Sequence, residues 1–414
     1  MDAGMTGGCR WLLPAAAALG LLAAQTAETG GDKMQDVHVS LDQAKTAAAA
    51  QNTFGLKLIS RVAAEHHHAN VFLSPASVFL ALTMTEDGAA GKTRAAMRQT
   101  LDIPSGLSED ALQTGASELL KSLRTRQGVE LSIASGLWSD PSMPLAADFI
   151  EHSRRFYDAE AATLDFSKPE AADRINAWVK EKTQGKITNI VTPQVVALSK
   201  AILGNAAYFK GRWHNPFPKA ETHDEPFHLA DGGQKQVAMM RQSGLRWAYR
   251  SSDGFEAAAL SYRAGNVAFY AILPAPGVSP ESALAKASVS KLINGSEPYE
   301  LDLSLPRFTL DFGTSLKAPL MDMGMGIAFK YPGAEFAPLG SPLFYIGDVL
   351  HKTHLEVDEE GTVAAAATVI PMGVGAAMPQ KQEKKTLVFD RPFAVLMCDG
   401  TTGAILFGGV VYNP

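Results

Sequence analysis

Three consecutive histidines, His66, His67 and His68, are the most conspicuous candidates for metal coordination. Imidazole nitrogens are good zinc ligands, but adjacent residues of a helix point about 100° apart and cannot converge on one ion. The histidines follow a helical pattern that begins near Leu41, so we interpret them as a solvated helix end. We therefore predict no metal and no other cofactor.

The motifs of the common enzyme classes do not occur in the sequence. It contains no G-x-S-x-G turn, Walker loop, H-E-x-x-H helix or paired C-x-x-C. Of the two cysteines, Cys398 lies in the apolar run that starts at Phe393, which is typical of a buried structural thiol. We predict that the chain is not an enzyme, and we keep a secreted hydrolase with an unrecognised site as an alternative.

The segment from Gly361 to Gln380 (GTVAAAATVIPMGVGAAMPQ) contains no charged residue, although acidic residues precede it and lysines follow it. A buried strand would carry larger side chains, and an ordinary exposed loop would be more polar. A flexible Ala/Gly linker would also have this composition.

The first half of this segment could also form a β-strand. With the two-residue period of a strand, neither of its faces would carry a charge. Such a segment can be exposed in one state and enter a packed sheet in another without burying a charge. One face would present Thr362, Ala364, Ala366, Thr368 and Ile370, and the other Gly361, Val363, Ala365, Ala367 and Val369.

The residues that lead into this segment, His351 to Ala367 (HKTHLEVDEEGTVAAAA), resemble the hinge of the serpin family of protease inhibitors. The resemblance extends from near Ala47 to Pro414. Further matching motifs follow in the order of the family: Asn70–Ser77 (NVFLSPAS), Ile175–Val179 (INAWV) with Gly185–Ile187 (GKI), Asn205–Trp213 (NAAYFKGRW), Val237–Met240 (VAMM), Asp390–Phe393 (DRPF) and Gly403–Val410 (GAILFGGV).

The resemblance implies an α+β serpin fold with three β-sheets, eight or nine helices and an exposed reactive centre loop at about residues 359–385. It implies a suicide-substrate inhibitor of serine proteases, and secondarily of cysteine proteases, which traps the acyl-enzyme by inserting the loop into sheet A. The partner would be the target protease, bound covalently, and the free inhibitor would be a monomer. A non-inhibitory serpin acting as a carrier, chaperone or storage protein is the main alternative.

Residue roles follow from the same resemblance. Trp213 corresponds to the aromatic residue of the breach, where insertion starts, and Arg307 would pair with the hinge acid Glu359. The polar cluster of the shutter, beneath the opening of sheet A, would comprise Ser74, Ser77, Asn205 and His351, for which ordinary core polarity is an equally good explanation. The hinge would comprise Glu359, Glu360, Gly361, Thr362, Val363, Ala364, Ala365, Ala366 and Ala367.

The spacing usual in the family places the reactive bond at Gly375–Ala376, with Val374 or Ala377 as alternatives in a shifted register. No Lys or Arg lies between residues 361 and 380, so a trypsin-like target is not expected. Small residues fit the shallow pocket of elastase-like or subtilisin-like proteases. Met372 and Met378 keep a chymotrypsin-like target as a minor option.

The composition, with 46% hydrophobic and 19% charged residues among 414, supplies enough apolar material for a large core. A net charge of −6 gives no indication of a nucleic-acid or membrane partner. Arg10 and the short apolar run Trp11–Ala24 predict an export signal over residues 1–24, with a membrane anchor or disordered leader as alternatives. We expect a flexible segment over 25–40, a single domain over 41–414, and secretion to the extracellular space or periplasm.

Local patterns predict the elements that would position these residues. Helices are expected from Leu41, after the cap Ser74, over Ser108–Leu123 and over Asp173–Thr183. Short apolar, β-branched or aromatic runs predict strands, chiefly in the second half of the chain. These runs are Val237–Met240, Ala257–Ser261, Val267–Leu273, Glu300–Leu305, Leu387–Val388, Phe393–Met397 and Ala404–Val411.

Overall fold

The computed structural model describes residues 40–124, 128–252, 254–263, 266–362 and 384–414, and the structural statements below apply to these ranges. The described residues cluster as one compact unit. The expected export signal, the hinge residues Val363 to Ala367 and the reactive-bond candidates Val374 to Ala377 lie outside the described residues. Among the helices that are described, none is both long and apolar enough to cross a membrane.

The predicted helices are confirmed, with their caps at the expected positions. Ser74 Oγ accepts a hydrogen bond from the Ser77 N–H, and Ser108 Oγ accepts one from the Ala111 N–H at 3.2 Å. Within the described ranges the α-helices are α1 (Leu41–Glu65), α2 (Pro75–Asp87), α3 (Gly91–Thr100), α4 (Glu109–Arg124), α5 (Ala147–Tyr157), α6 (Glu170–Lys182), α7 (Pro193–Leu198), α8 (Pro280–Lys286), α9 (Val289–Asn294) and α10 (Lys317–Leu320).

The strands include all those predicted from local patterns. They are β1 (Val71–Leu73), β2 (Val129–Ser139), β3 (Glu160–Thr163), β4 (Ala201–Arg212), β5 (His223–His228), β6 (Gln234–Ser252), β7 (Phe255–Ser261), β8 (Val267–Pro274), β9 (Glu297–Pro306), β10 (Phe308–Ser315), β11 (Asp348–Val357), β12 (Gly361–Thr362), β13 (Lys385–Val388), β14 (Phe393–Asp399) and β15 (Ile405–Val411).

A six-stranded sheet, with the order β10-β11-β4-β2-β3 and β12 on β4, positions the candidate site. Strands β4 and β11 are parallel neighbours from Ile202 opposite Asp348 up to Tyr208 opposite His354. Strand β4 carries Asn205, which the resemblance places in the shutter beneath the opening of sheet A. This six-stranded sheet is therefore the one into which a loop would insert.

The second sheet has nine strands, with the order β1-β15-β14-β8-β7-β6-β9-β13 and β5 paired to β6. Its continuity comes from the 19-residue strand β6, which pairs with β5 near its start and with β7 near its end. A register shift between Gln242 and Leu245 lets β6 change direction between these partners. The α+β serpin fold is confirmed. Within the described ranges, however, hydrogen bonding joins the three expected sheets into two, and counting short helices gives ten rather than eight or nine.

The main core lies between the nine-stranded sheet and helices α1 and α2, which pack on β15. Phe54 of α1 and Phe79 of α2 are fully buried with ring centroids 6.3 Å apart. Cys398 lies in β14 as a free, buried thiol, as predicted, and burial raises its pKa well above the ordinary value.

Candidate functional site

The candidate site is the gap at the end of the paired part of β4 and β11. Beyond Tyr208 and His354 these two strands are no longer paired with each other within the described ranges. There the two residues of β12 pair antiparallel with β4, Gly361 opposite Arg212 and Thr362 opposite Gly211. Because β2 occupies the other edge of β4, β12 lies on the edge that faces β11. The hinge therefore takes the first two positions of a strand between β4 and β11.

Gly361 is required at the start of this short strand. Its φ is +151°, and a Cβ there would lie 2.1 Å from the carbonyl oxygen of Gly211. Only glycine permits so close a backbone approach with this dihedral angle. The glycine that opens the uncharged segment is thus explained by the contact between hinge and β4.

Thr362 is fully buried, and its hydroxyl lies 2.7 Å from the hydroxyl of Tyr262. Tyr262 follows β7 and stacks on Trp213, with ring centroids 4.5 Å apart. Burial raises the pKa of Tyr262 well above its ordinary value, so the phenol is neutral and can donate or accept in this contact. The sequence analysis missed Tyr262 because nothing in its local sequence links it to a hinge 100 residues away.

Trp213 anchors the chain just before the hinge strand. Its indole Nε1 donates to the carbonyl oxygen of Asp358 at 2.9 Å, and its backbone N–H donates to the carbonyl oxygen of Glu360 at 2.9 Å. Its side chain is buried. The structure therefore places Trp213 beside the hinge strand β12, at the gap between β4 and β11.

The structure brings Glu359 and Arg307 together, with Arg307 Nη2 2.5 Å from Glu359 Oε1. The hydroxyl of Thr222, a residue the sequence analysis missed, donates to the same oxygen at 2.8 Å. Burial opposes the charged form of Glu359, but the hydrogen bonds from Arg307 and Thr222 hold its pKa below the usual range. Next to it, Glu360 pairs with Lys219 at 2.7 Å. Two ion pairs thus hold the acidic pair with which the hinge begins.

The four residues expected at the shutter also come together. Asn205 on β4 donates through Nδ2 to Ser77 Oγ at 2.7 Å and to Ser135 Oγ at 3.0 Å. Its Oδ1 lies 2.7 Å from Nδ1 of His351 on β11, while Nε2 of His351 accepts from the Ser74 N–H at 3.0 Å. Because Nε2 accepts, the proton must be on Nδ1, which fixes a neutral imidazole. This hydrogen-bonded cluster joins β4 and β11 beneath the gap.

A pH dependence follows from the neutral His351. Burial lowers the pKa of His351 to about 3, against about 6.5 for an unperturbed histidine. The unfolded chain therefore binds a proton that the folded chain does not, so this contribution to stability is complete above pH 6.5 and declines as the pH falls towards 3. At pH 5 the loss is about 2 kcal/mol. We expect the drop in melting temperature between pH 7.5 and pH 5 to be smaller in His351→Gln; equal drops would contradict this assignment.

The far end of the loop is also anchored, through β13, which pairs parallel with β9. The ammonium group of Lys385 contacts the carboxylate of Glu256 and lies 2.6 Å from the Tyr249 hydroxyl. These hydrogen bonds raise the pKa of Lys385. The chain between Thr362 and Lys385 is therefore held at both ends.

The three histidines lie at the end of α1, as predicted, and not in the candidate site. His66 caps the helix, with its Nδ1 2.9 Å from the Val62 carbonyl oxygen. Across the described residues, no group of three or more His, Cys, Asp or Glu is arranged to hold a metal ion.

Comparison with known proteins identifies the family. The family model described as serpin (serine protease inhibitor) matches residues 49–414. An uncharacterized serpin-like protein from Thermococcus kodakarensis is 35% identical over 378 residues, covering 90% of this chain and 87% of that protein. Plasminogen activator inhibitor 1 from Neovison vison is 30% identical over 380 residues, covering 89% and 93%. The chain therefore belongs to the serpin family.

Comparison with solved structures gives the same family. The solved structure of human thyroxine-binding globulin with thyroxine has a TM-score of 0.81 and 26% identity, covering 90% of this chain and 99% of that one. Serpins are mostly protease inhibitors, although some members, such as thyroxine-binding globulin, are non-inhibitory. Membership thus leaves two functional classes to be distinguished.

Proposed function

We propose that this serpin is a secreted, single-use inhibitor of serine proteases, and secondarily of cysteine proteases, that traps its target by loop insertion between β4 and β11. The observation that carries the proposal is the hinge strand β12, which already occupies the first two positions of the missing strand. The residues that continue it carry no charge up to Gln380. Extension of β12 therefore buries no charge in the sheet.

The chemistry belongs to the protease. Its nucleophile attacks the carbonyl of the reactive bond, the amide bond breaks, and the amine of the new C-terminal fragment leaves with a proton. The serpin remains attached to the nucleophile as an ester or thioester. The freed loop then extends β12, and the attached protease is displaced before water can hydrolyse the acyl bond.

The observed register predicts how far the loop reaches. Since Gly361 opposes Arg212 and Thr362 opposes Gly211, continued antiparallel pairing places Met372 opposite Ala201, the first residue of β4. The 12 residues of β4 are then matched completely. In this register Gly375 would lie just beyond the end of β4, so the acyl bond would be carried to the opposite end of the strand.

The gain in backbone hydrogen bonding is large enough to drive this change. Because Gly361 and Thr362 are already paired with β4, about ten further residues would insert. They add roughly one net hydrogen bond each, worth about 0.5–1.5 kcal/mol apiece, or about 5–15 kcal/mol in total. This is comparable to the stability of a whole domain. The loop can therefore do mechanical work on an attached protease.

The small residues around Gly375 favour an elastase-like or subtilisin-like target. We expect incubation with either protease to give an adduct of one serpin and one protease that survives boiling in SDS, because the bond is covalent. Trypsin is the matched control and should give none, since no Lys or Arg lies between residues 361 and 380.

Two other experimental results would contradict the proposed inhibitory function and favour another one. Cleavage as an ordinary substrate, with no adduct for any protease tested, would contradict inhibition and favour the carrier, chaperone or storage role. Turnover of a general ester or peptide by the purified protein would favour a hydrolase. N-terminal sequencing of the protein from the culture medium tests secretion, and we expect the mature chain to begin close to residue 25.

A further inference from the structure

Glu86 is a fully buried carboxylate that takes no part in the proposed inhibitory site. It lies near the end of α2, the helix whose N-terminal cap is the shutter residue Ser74. Its Oε1 lies 3.4 Å from Arg98 Nη1 and 3.8 Å from Arg94 Nε. Both distances exceed the length of a close charge-assisted hydrogen bond, about 2.7–2.9 Å. Within the described ranges, Oε2 of Glu86 is buried without a hydrogen-bond partner. The structure therefore compensates this carboxylate at one oxygen only, and weakly.

The two arginines of α3 also contact other acceptors. Arg94 contacts the carboxylate of Glu109 at the start of α4, and its Nη2 donates to the carbonyl oxygen of Asp87 at 3.3 Å. Arg98 donates through Nη2 to the carbonyl oxygen of Leu107, in the connection between α3 and α4. Each guanidinium is thus shared between the buried carboxylate and acceptors on other elements. The arginines join α3 both to the end of α2 and to the start of α4.

A second carboxylate, that of Asp87, adjoins Glu86 on α2. Its Oδ2 accepts from the Tyr157 hydroxyl at 2.7 Å and lies 3.0 Å from Nε2 of His152, and both partners belong to α5. Two acidic residues therefore follow each other at the end of α2. The charged and titratable groups around Glu86 in the described ranges are Asp87 on α2, Arg94 and Arg98 on α3, Glu109 on α4, His152 and Tyr157 on α5, and Glu335, which contacts the start of α3.

The balance of these interactions favours the neutral form of Glu86. Burial and the negative charge of Asp87 oppose ionisation, and they outweigh the attraction of the two arginines. They raise the pKa of Glu86 from 4.5 to about 7. The folded chain thus keeps a proton that the unfolded chain loses. This contribution to stability is complete below pH 4.5, declines as the pH rises and is lost above pH 7, which is the opposite sign to that of His351.

We propose that Glu86 is a proton-controlled latch between α2 and α3. Its neutral carboxyl group allows α3 to close on the end of α2, and loss of the proton opens α3 and the connection to α4. Opening admits water to the charge, which a closed structure leaves buried with one oxygen unpaired. Arg94 and Arg98 move with α3, so their contacts with α4 and with the connection change at the same time. The latch does not depend on the proposed inhibitory function.

Backbone hydrogen exchange at pH 5.5 and pH 8.5, corrected for base catalysis of the exchange reaction itself, measures the opening. If Glu86 has its ordinary pKa in the open state, the opening equilibrium rises about thirtyfold between these two pH values. We expect the amides of Gly91–Thr100 and of residues 101–108 to lose protection at least tenfold. Glu86→Gln has the same shape and no charge, so its amides should stay protected at both pH values. Glu151→Gln is the matched control, because this glutamate is exposed on α5, and should respond like the native protein.

Replacement of Glu109 tests whether the shared arginine sets the midpoint of the transition. The side chain of Glu109 is 59% exposed, so Glu109→Gln should fold normally. It frees Arg94 to contact Glu86, which favours the charged carboxylate. We therefore expect the loss of protection to occur at lower pH in Glu109→Gln than in the native protein.

Nuclear magnetic resonance of the protein with ¹³C-labelled glutamate carboxyl groups observes the proton directly. One carboxyl group should titrate near pH 7 in the native protein, and this signal should be absent from Glu86→Gln. If Glu86→Gln does not fold, the native titration and the shift in Glu109→Gln still decide the question. Equal protection of α3 at both pH values in the native protein, or a loss of protection that persists in Glu86→Gln, would overturn the latch.

Discussion

Cutting the reactive loop should raise the melting temperature of this protein by roughly 10–20 °C. Most proteins lose stability when nicked, because the cut releases chain entropy. Here the cut frees the N-terminal part of the loop to extend β12 along β4, from Gly361 towards Met372. The gain of about 5–15 kcal/mol in backbone hydrogen bonds exceeds that entropy, although ordering the loop offsets part of it.

Limited proteolysis with subtilisin, followed by mass spectrometry to locate the cut, provides the cleaved form. Calorimetry on the intact and cleaved proteins then gives the two melting temperatures. A cut in another exposed loop, such as the turn at Gly232, is the matched control and should lower the melting temperature. A loop-cleaved protein that melts at or below the intact one would show that the loop does not insert, and a non-inhibitory role would then be favoured.

Much of the fold follows from local sequence patterns. Helices α1, α4 and α6 have the apolar periodicity that isolated segments reveal, and α2 and α4 have the serine caps Ser74 and Ser108. Several strands of the nine-stranded sheet, among them β8, β14 and β15, are short apolar runs whose burial is nearly continuous. Such elements can be predicted from the local sequence, because the apolar residues that define the pattern are the same residues that become buried in the fold.

Two strands of the six-stranded sheet carry no comparable signal. β11 (DVLHKTHLEV) alternates apolar residues with His, Lys and Glu, and its polar face is occupied by contacts with β10 and the segment after α6. β2 (VELSIASGLWS) is rich in small residues because α6 packs close to it. The partners that make these sequences acceptable as strands are distant in the chain, so local patterns cannot reveal them.

The candidate site likewise contains residues that the sequence could reveal and residues that it could not. The small, uncharged residues from Gly361 onward could be recognised from composition. The shutter residues were predicted from the family resemblance. Ser135, Thr222 and Tyr262 could not be recognised, since each joins the site only through contacts with residues far along the chain. The reactive-bond residues Val374 to Ala377 lie outside the described residues, so their assignment stays a prediction.

Replacing Thr362 with Arg should convert the inhibitor into a substrate. Thr362 is fully buried against Tyr262, and every further step of insertion requires position 362 to remain inside the sheet. A guanidinium group there would lose its hydration without an acidic partner, at a cost of several kcal/mol. The native protein can avoid this cost by releasing the two residues of β12, but the inserted state cannot. Insertion should therefore slow while cleavage of the loop continues.

The measurement is the number of serpin molecules consumed for each protease molecule inhibited. We expect this number to rise at least tenfold in Thr362→Arg. Each 1.4 kcal/mol added to the insertion barrier slows insertion tenfold relative to deacylation. Thr362→Val is the matched control, since it keeps the shape of the side chain and loses only the hydrogen bond to Tyr262. It should remain an inhibitor with nearly native stoichiometry, which separates the effect of buried charge from that of the lost hydrogen bond. The loop-cleaved form of Thr362→Arg should also lack the rise in melting temperature. If Thr362→Arg traps protease with native stoichiometry, β12 is not the start of the inserted strand and the register derived from Gly361 and Arg212 is wrong.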